Sequence, residues 1–383
     1  MYDIIYLRDQ IVSRAILYGI PISLYTGRAR SYLIKAGIEY KEVPPIEEHY
    51  ISEVVPAAGG RAGMPTLETH AGEVIRDGAA IIDHYERQNG NQFSPITPKQ
   101  QILSRLFDVI GAEGLLRPAM HYRWNFPKEN LALLRFHFQS ATPRGSSREE
   151  KADKATDRMR AAGVGFGVVP ETFDLVEELY GEWLTTLNAH FAAYPYLFGS
   201  KPSIGDFGMI APLYGHLGRD PKPLSLMQAK GIQLYRWVER MNRPELDIGE
   251  FEDQSGEYLV GDEIPDTLIA LLNQIAVDFV PETVAAAACI NDWIEQQDTL
   301  LPGTEAARGV GMARFEVRGK TINALAQPYR FYLLQRVQDF FESLASNEKQ
   351  GVKTLLDTCG MSDLLTTKLS RRIGRENNLE VWQ

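Results

Sequence analysis

Cysteine is almost missing from this chain: Cys289 and Cys359 are the only two among 383 residues. They form no Cys-x-x-Cys or Cys/His spacing, which excludes a disulfide framework and offers no metal-ligand pattern. Such usage fits a reducing, cytoplasmic compartment. The seven histidines fall at no paired ligand spacing either, so no metal is expected. A basic excess is also lacking. The net charge is -10, from 50 acidic and 40 basic residues, and a nucleic-acid surface rests on clustered Lys and Arg. The short run Lys368, Arg371, Arg372 and Arg375 reads as a solvated tail. Long uninterrupted apolar stretches are missing too. Met1 to Arg14 carries Asp3, Arg8, Asp9 and Arg14, unlike the core of a signal peptide. Leu268 to Ile290 is broken by Asn273, Asp278, Pro281 and Glu282, so no membrane span or membrane partner is expected. No internal repeat is evident.

What the chain does have is apolar content, at 44% hydrophobic residues, and enough length to build two or three structural units. ILYGIPI, Ile16 to Ile22, is a short apolar run with strand character, and helical spacing follows Gly27 and stops at Gly37. IEYKEV supplies a second strand directly. Strand, helix and strand in so short a span predict a right-handed βαβ unit with parallel strands. Pro65 to Thr69 and Glu73 to Ile75 flank His70-Ala71-Gly72, a hairpin pattern, and a helix is predicted from Gly78 to Arg87. Beyond Pro98 the pattern is helical, with amphipathic runs at Gln100 to Leu116, Thr172 to Ala193, Ile204 to Leu217 and Tyr235 to Asn242. Asn125 to Val169, rich in charge, Gly and Ser, reads as a partly mobile insertion. The acidic stretch Pro244 to Asp266 reads as a linker. Further helices follow it, with a hairpin at Arg314 to Leu325 turning on Gly319-Lys320. The apolar and aromatic run Tyr329 to Phe341 must bury against something.

LYGIPIS, RARSYLIKAGIEY, GMPTL and RDGAAI, in that order, resemble the glutathione-binding domain of the glutathione transferase superfamily. KPSIGDFGMIAPLYGHL resembles its helical-domain signature, in which Ser203 would cap a helix and Asp206 would return the bond. The resemblance covers about the first two thirds of the chain and suggests a theta- or zeta-like bacterial type with a long C-terminal extension. The implied fold is α/β plus all-α. Residues 1–15 form an N-terminal extension, 16–92 a thioredoxin-like domain, 98–260 a helical domain, and 261–383 a mainly helical extension.

By the same resemblance, glutathione is the co-substrate, a small electrophile the acceptor, and a homodimer the assembly. Ser23 matches the thiol-activating Ser of the family, while Tyr25 and Thr26 offer competing hydroxyls. A thiol of pKa about 8.5 is mostly protonated at neutral pH, so a hydroxyl donating to sulfur favours the reactive thiolate. One of Arg28 and Arg30 would support the site electrostatically. Met64-Pro65 matches the segment in which the family holds a cis proline, exposing the backbone of residue 64 to the cysteinyl unit. At Arg76-Asp77-Gly78 the chain departs from the family's acid or amide followed by Ser. Asp77 would reach the γ-glutamyl ammonium, the Gly78 N–H a carboxylate, and Arg61 or Arg76 would compensate for the missing hydroxyl. An aromatic and cationic cluster, His121, Tyr122, Arg123, Trp124 and Phe126, would line the pocket of an apolar acceptor carrying negative charge. A protein that keeps the fold only to bind a ligand or partner is the competing implication.

Overall fold

Four short strands form the N-terminal sheet of the computed structural model, which describes residues 14–251 and 255–383. The expected N-terminal extension therefore lies almost wholly outside the described residues. Strand β1 (Ala15–Tyr18) leads into helix α1 (Leu24–Lys35) and the parallel strand β2 (Tyr40–Val43). Antiparallel strands β3 (Thr66–Glu68) and β4 (Val74–Arg76) complete the order β2-β1-β3-β4. Alternation along the strands sets the register, placing Leu17, Leu67 and Ile75 side by side on the buried face. The Ile20-Pro21-Ile22 stretch falls outside β1, because Ile20 and Ile22 turn away to pack on Met120 and Trp124. Helix α2 (Gly78–Gln88) starts at Asp77, whose carboxylate accepts the Ala80 N–H. Asp77 is held at φ 85°, a region a non-glycine residue occupies only under constraint.

The helical part begins with α3 (Pro98–Val109), which passes without a break into a π-helical turn at Ile110–Gly114. Then come α4 (Leu116–Trp124), α5 (Pro127–Ser140), α6 (Arg148–Ala161), α7 (Phe173–Ala193), α8 (Ile204–Gly215), α9 (Pro221–Lys230) and α10 (Ile232–Met241). Two of these correct the reading of Asn125 to Val169, which is not a loose insertion. Its middle is the helical pair α5 and α6, buried through Asn130, Leu134, Ala152 and Thr156. Helix α8 opens with a capping box. Ser203 Oγ accepts the Asp206 N–H, while Asp206 accepts the Ser203 N–H at 2.8 Å and the indole N–H of Trp237 at 3.1 Å. A Cβ on Gly208 would lie 2.5 Å from the Asp108 Cα, so glycine is what lets α8 cross α3 at backbone contact.

Helix α11 (Asp266–Glu295) is long and apolar enough to cross a membrane by length and composition. Its charges show another use. Asp278 pairs with Arg117, and Glu282 bridges Arg117 and Arg330, all of them buried. A hairpin of β5 (Met312–Val317) and β6 (Lys320–Leu325) lies on α11, with Ala313, Phe315 and Val317 turned inward. Helices α12 (Pro328–Ser343) and α13 (Ser346–Thr358) follow, and α12 covers α3 with Phe331, Leu333, Leu334 and Val337. The chain ends in a second hairpin, β7 (Ile373–Glu376) and β8 (Leu379–Trp382), anchored by the buried Trp382 stacked on Trp293. The expected solvated tail is corrected accordingly. Arg372 pairs with Asp339, Arg371 donates to the Leu300 carbonyl, and Arg375 bonds Glu380 and the Arg76 carbonyl.

Candidate active site

Three backbone features converge where the N-terminal sheet meets its helices. The first is the N-terminus of α1, capped by Ser23, whose Oγ accepts the Thr26 N–H at 3.3 Å. Accepting that bond leaves the Ser23 hydroxyl hydrogen with no acceptor among the described residues. The second is the Met64-Pro65 peptide, which is cis. Met64 is partly exposed, and its main-chain N–H and C=O have no partner among the described residues. The third is the N-terminus of α2 at Asp77 and Gly78. A Cβ on Gly78 would lie 3.4 Å from the Tyr25 carbonyl oxygen, 3.4 Å from Arg28 Cδ and 3.7 Å from Pro65 Cγ. All three segments therefore meet around Gly78, within contact distance of the position a side chain would take.

The competing hydroxyls are differently placed. The Tyr25 hydroxyl donates to the Ala112 carbonyl at 3.3 Å, and burial, then Glu113 and Asp77, raise its pKa well above the ordinary value. Thr26 is wholly buried, with its Oγ1 turned toward Gly19 and left without a partner. Of the two arginines, Arg28 is buried and paired with Asp108 of α3, and Arg30 pairs with Glu42 of β2. Of the two, Arg28 is the one whose stem lies beside Gly78, while its guanidinium is held by Asp108.

Segments far away in sequence close over the same place. The Tyr329 hydroxyl of α12 donates to both carboxylate oxygens of Asp77, at 2.9 Å each. Arg76 expected as a ligand contact, is instead engaged by the terminal hairpin: its guanidinium bonds Glu380 at 2.8 Å and the Asn378 carbonyl at 2.8 Å. Asn378 also completes the outer edge of β4, accepting the Arg76 N–H at 3.0 Å and donating to the Val74 carbonyl at 2.9 Å. Arg61 pairs with Glu305 at 2.6 Å. Beside it Arg308 has no ion pair among the described residues, and burial with the charges of Arg61, Arg76 and Arg158 holds its pKa below the ordinary arginine value. Together these arginines make an anion-attracting mouth. Glu113, on the π-helical turn, is buried, and its pKa is pushed up to about 7 by burial, opposed by Arg330 and the Gln327 amide.

The expected acceptor pocket is overturned. His121 is buried, bonded to Glu177 at 2.9 Å and to the Asn125 amide. Arg123 binds Asp220 through two nitrogens and also donates to the Ile22 and Gly215 carbonyls, so it ties α4 to the loop before α9. Trp124 is core, packed with Ile20, Ile22 and Leu134. The polar atoms of His121 and Arg123 are spent inside the fold, and Trp124 Nε1 is buried in the core without a partner among the described residues.

The family model of the glutathione S-transferase N-terminal domain matches residues 17–93. Residues 17–93 are similar to a glutathione S-transferase N-terminal domain. That span contains β1 to β4, the cis proline and both helix N-termini described above, and a helical region follows it. A search of curated proteins finds no match. Among solved structures the chain is similar to the β-etherase LigF of Sphingobium sp. strain SYK-6, with TM-score 0.40 and 18% identity over 60% of this chain and 94% of that one. It is also similar to the glutathione transferase GSTFuA3 of Phanerochaete chrysosporium, with TM-score 0.42 and 15% identity over 61% and 97%. A Ceriporiopsis subvermispora glutathione S-transferase in complex with glutathione aligns with TM-score 0.35 and 21% identity over 62% and 99%.

Tyr329, Asn378, Arg308 and Glu113 were missed by sequence reasoning. The aromatic run around Tyr329 announced burial without saying against what. Glu113 sits in an apolar helical stretch, and that anomaly was its only signal.

Proposed function

We propose that this chain is a glutathione-dependent transferase in which Ser23 donates a hydrogen bond to the glutathione sulfur and stabilises the thiolate for attack on an electrophile. The observation that carries this reading is the unused Ser23 hydroxyl hydrogen at the α1 N-terminus. Nearby, Gly78 touches Tyr25, Arg28 and the cis Pro65. A helix N-terminus favours a developing anion, and the free main chain of Met64 can pair with a peptide as an added strand would. Tyr25 is bonded elsewhere and Thr26 is buried, which leaves Ser23 as the hydroxyl best placed to donate. The arginine mouth at Arg61, Arg158 and Arg308 suits a tripeptide whose carboxylates outnumber its ammonium group. We further propose a cytoplasmic setting and the homodimeric assembly common in the superfamily.

A second reading, a non-catalytic protein of the same fold, is favoured by one specific observation: both oxygens of Asp77 already accept from Tyr329. Isothermal titration with glutathione separates the two. The enzyme reading expects saturable binding at millimolar or tighter, weakened about tenfold by Asp77→Ala, as loss of a charge-assisted contact requires. Ser23→Ala should leave binding nearly intact and abolish the ultraviolet signature of bound thiolate. Tyr329→Phe should tighten binding if the tyrosine competes for Asp77. No heat from either the wild type or Tyr329→Phe at several millimolar sinks the enzyme reading.

A further inference from the structure

A polar cavity of about 220 Å³, lined by none of Ser23, Met64, Pro65 and Asp77, is bounded by α2, α3 and α12. Its charged lining includes Asp83, Glu86, Arg105, Asp108 and Arg336. The three carboxylates are already committed. Asp108 is bound by Arg28, Asp83 accepts from Arg336 Nη2 at 2.6 Å, and Glu86 accepts from the Tyr32 hydroxyl, the Phe93 N–H and the Ser94 hydroxyl. One cation is not, and a second is committed through only one of its nitrogens. Arg105 makes no hydrogen bond and no ion pair among the described residues. Its guanidinium carbon lies over the Phe340 ring, 5.0 Å from the centroid, and its buried Nε has no partner among the described residues. Buried Nη1 of Arg336 is likewise unpartnered.

Burying guanidinium donors without acceptors is costly, and here it happens twice in one cavity. The two arginines also oppose one another: burial, then the charge of Arg336, lower the pKa of Arg105. Both remain cationic, because a guanidinium is not deprotonated in a protein. The ring of Phe340 and the carboxylates of Asp83 and Asp108 offset part of this cost, but the buried Arg105 Nε and Arg336 Nη1 still lack an acceptor. An oxyanion would accept from both and relieve their repulsion, and the planar fork of arginine suits carboxylate or phosphate oxygens.

We propose that the Arg105–Arg336 cavity is a second ligand site, separate from the thiol site, that takes a small molecule through a carboxylate or phosphate group. Ser94, Ser104 and Gln101 on the wall supply further polar contacts for the remainder of the ligand. Only the anionic group is specified by the charges present. The cavity's link to the rest of the molecule runs through Asp108 and Arg28, the pair that reaches Gly78.

The test uses the full chain titrated with inorganic phosphate and, separately, with succinate, each followed by calorimetry and thermal shift against sodium chloride of matched ionic strength. Saturable binding of at least one is expected. It should weaken about tenfold or more in Arg105→Gln, as loss of a charged hydrogen-bond donor implies. It should persist in Arg308→Gln, which removes the unpaired arginine of the thiol-site mouth. Arg336→Lys keeps a cation beside Asp83 but loses the fork, and should weaken binding as well; it stands in if Arg105→Gln fails to fold. Phosphate alone binding would identify a phosphate-bearing ligand, and succinate alone a carboxylate. No saturable response to either probe overturns the proposal. So does a response that survives both cavity variants, or one lost in Arg308→Gln.

Discussion

The C-terminal third meets the rest of the molecule along two seams of opposite character. Against the helical region the seam is dry and charge-matched: Arg117 and Arg330 are interleaved with Asp278 and Glu282, and each guanidinium also lies over a ring, Phe315 or Phe279. Against the N-terminal domain it is a set of hydrogen bonds from Tyr329, Arg375, Asn378 and Glu380 to Arg76, Asp77 and the edge of β4. Buried charges that lose a partner cannot recover it from water; the first seam has three such pairs and the second one, Arg76–Glu380, its other bonds being shared with partly exposed groups that can be rehydrated. The first seam should therefore hold the C-terminal third in place, and the second should be able to part without unfolding the chain. That difference places the weaker bonds over the residues that a ligand would need.

The largest effect belongs to the first seam. Asp278→Asn leaves Arg117 buried with half of its compensation gone, and should cost about 3 kcal/mol in chemical denaturation, the scale for breaking one partner of a buried pair. A loss below about 1 kcal/mol would mean that water reaches this cluster, and the contrast between the seams would fail. Glu113 sharpens the same contrast through pH. Its carboxyl titrates near pH 7 in the folded chain against about 4.5 unfolded, so between these values the folded state holds the extra proton. Stability contributed by that proton is complete below pH 4.5 and is lost as pH rises to 7. Glu113→Gln cannot ionise, and should be the more stable by up to about 3 kcal/mol above pH 7, with the gap closing toward pH 4.5. Melting temperatures of both proteins across that range would show it, and parallel curves would place Glu113 in contact with solvent.

What could be read from the sequence follows the range of the interactions. The βαβ unit, the first hairpin and the Ser203–Asp206 cap are local, written in apolar alternation, turn residues and a three-residue spacing, and they appear where the pattern puts them; the second hairpin turns on Arg318-Gly319 rather than Gly319-Lys320, because Lys320 pairs with Val317 as the first residue of β6. The ends of β1 were not legible, because Ile20 and Ile22 are as apolar as a strand but are claimed by Met120 and Trp124 a hundred residues on. The candidate site was half legible. Ser23, Met64-Pro65 and Asp77 are ordered by short-range backbone geometry, so their motif carries them together. His121, Arg123 and Trp124 look the same in sequence whether they line a pocket or fill a core, and partners such as Asp220 and Glu177 decide between the two. Tyr329 reaches Asp77 from 252 positions away and Asn378 reaches Arg76 from 302. No pattern within a window of sequence can register such a contact.

The smallest effect is expected at the second seam, and it is the one that tests whether the seam can part. Asn378 occupies the turn of the terminal hairpin at φ 65°, which asparagine tolerates and alanine does not. Asn378→Gly keeps that backbone and removes only the amide, which bonds the Arg76 N–H and the Val74 and Ala57 carbonyls. Each freed group can turn to water, so the net loss should be about 1 kcal/mol. Hydrogen exchange should locate it, with faster exchange at the Arg76 amide and no change along α11. If the exchange of α11 quickens as well, the two seams open together and the terminal hairpin is part of the core. If only β4 responds, the C-terminal cover over Asp77 is a local structure, free to lift while the Arg117–Glu282 cluster holds the remainder of the C-terminal third.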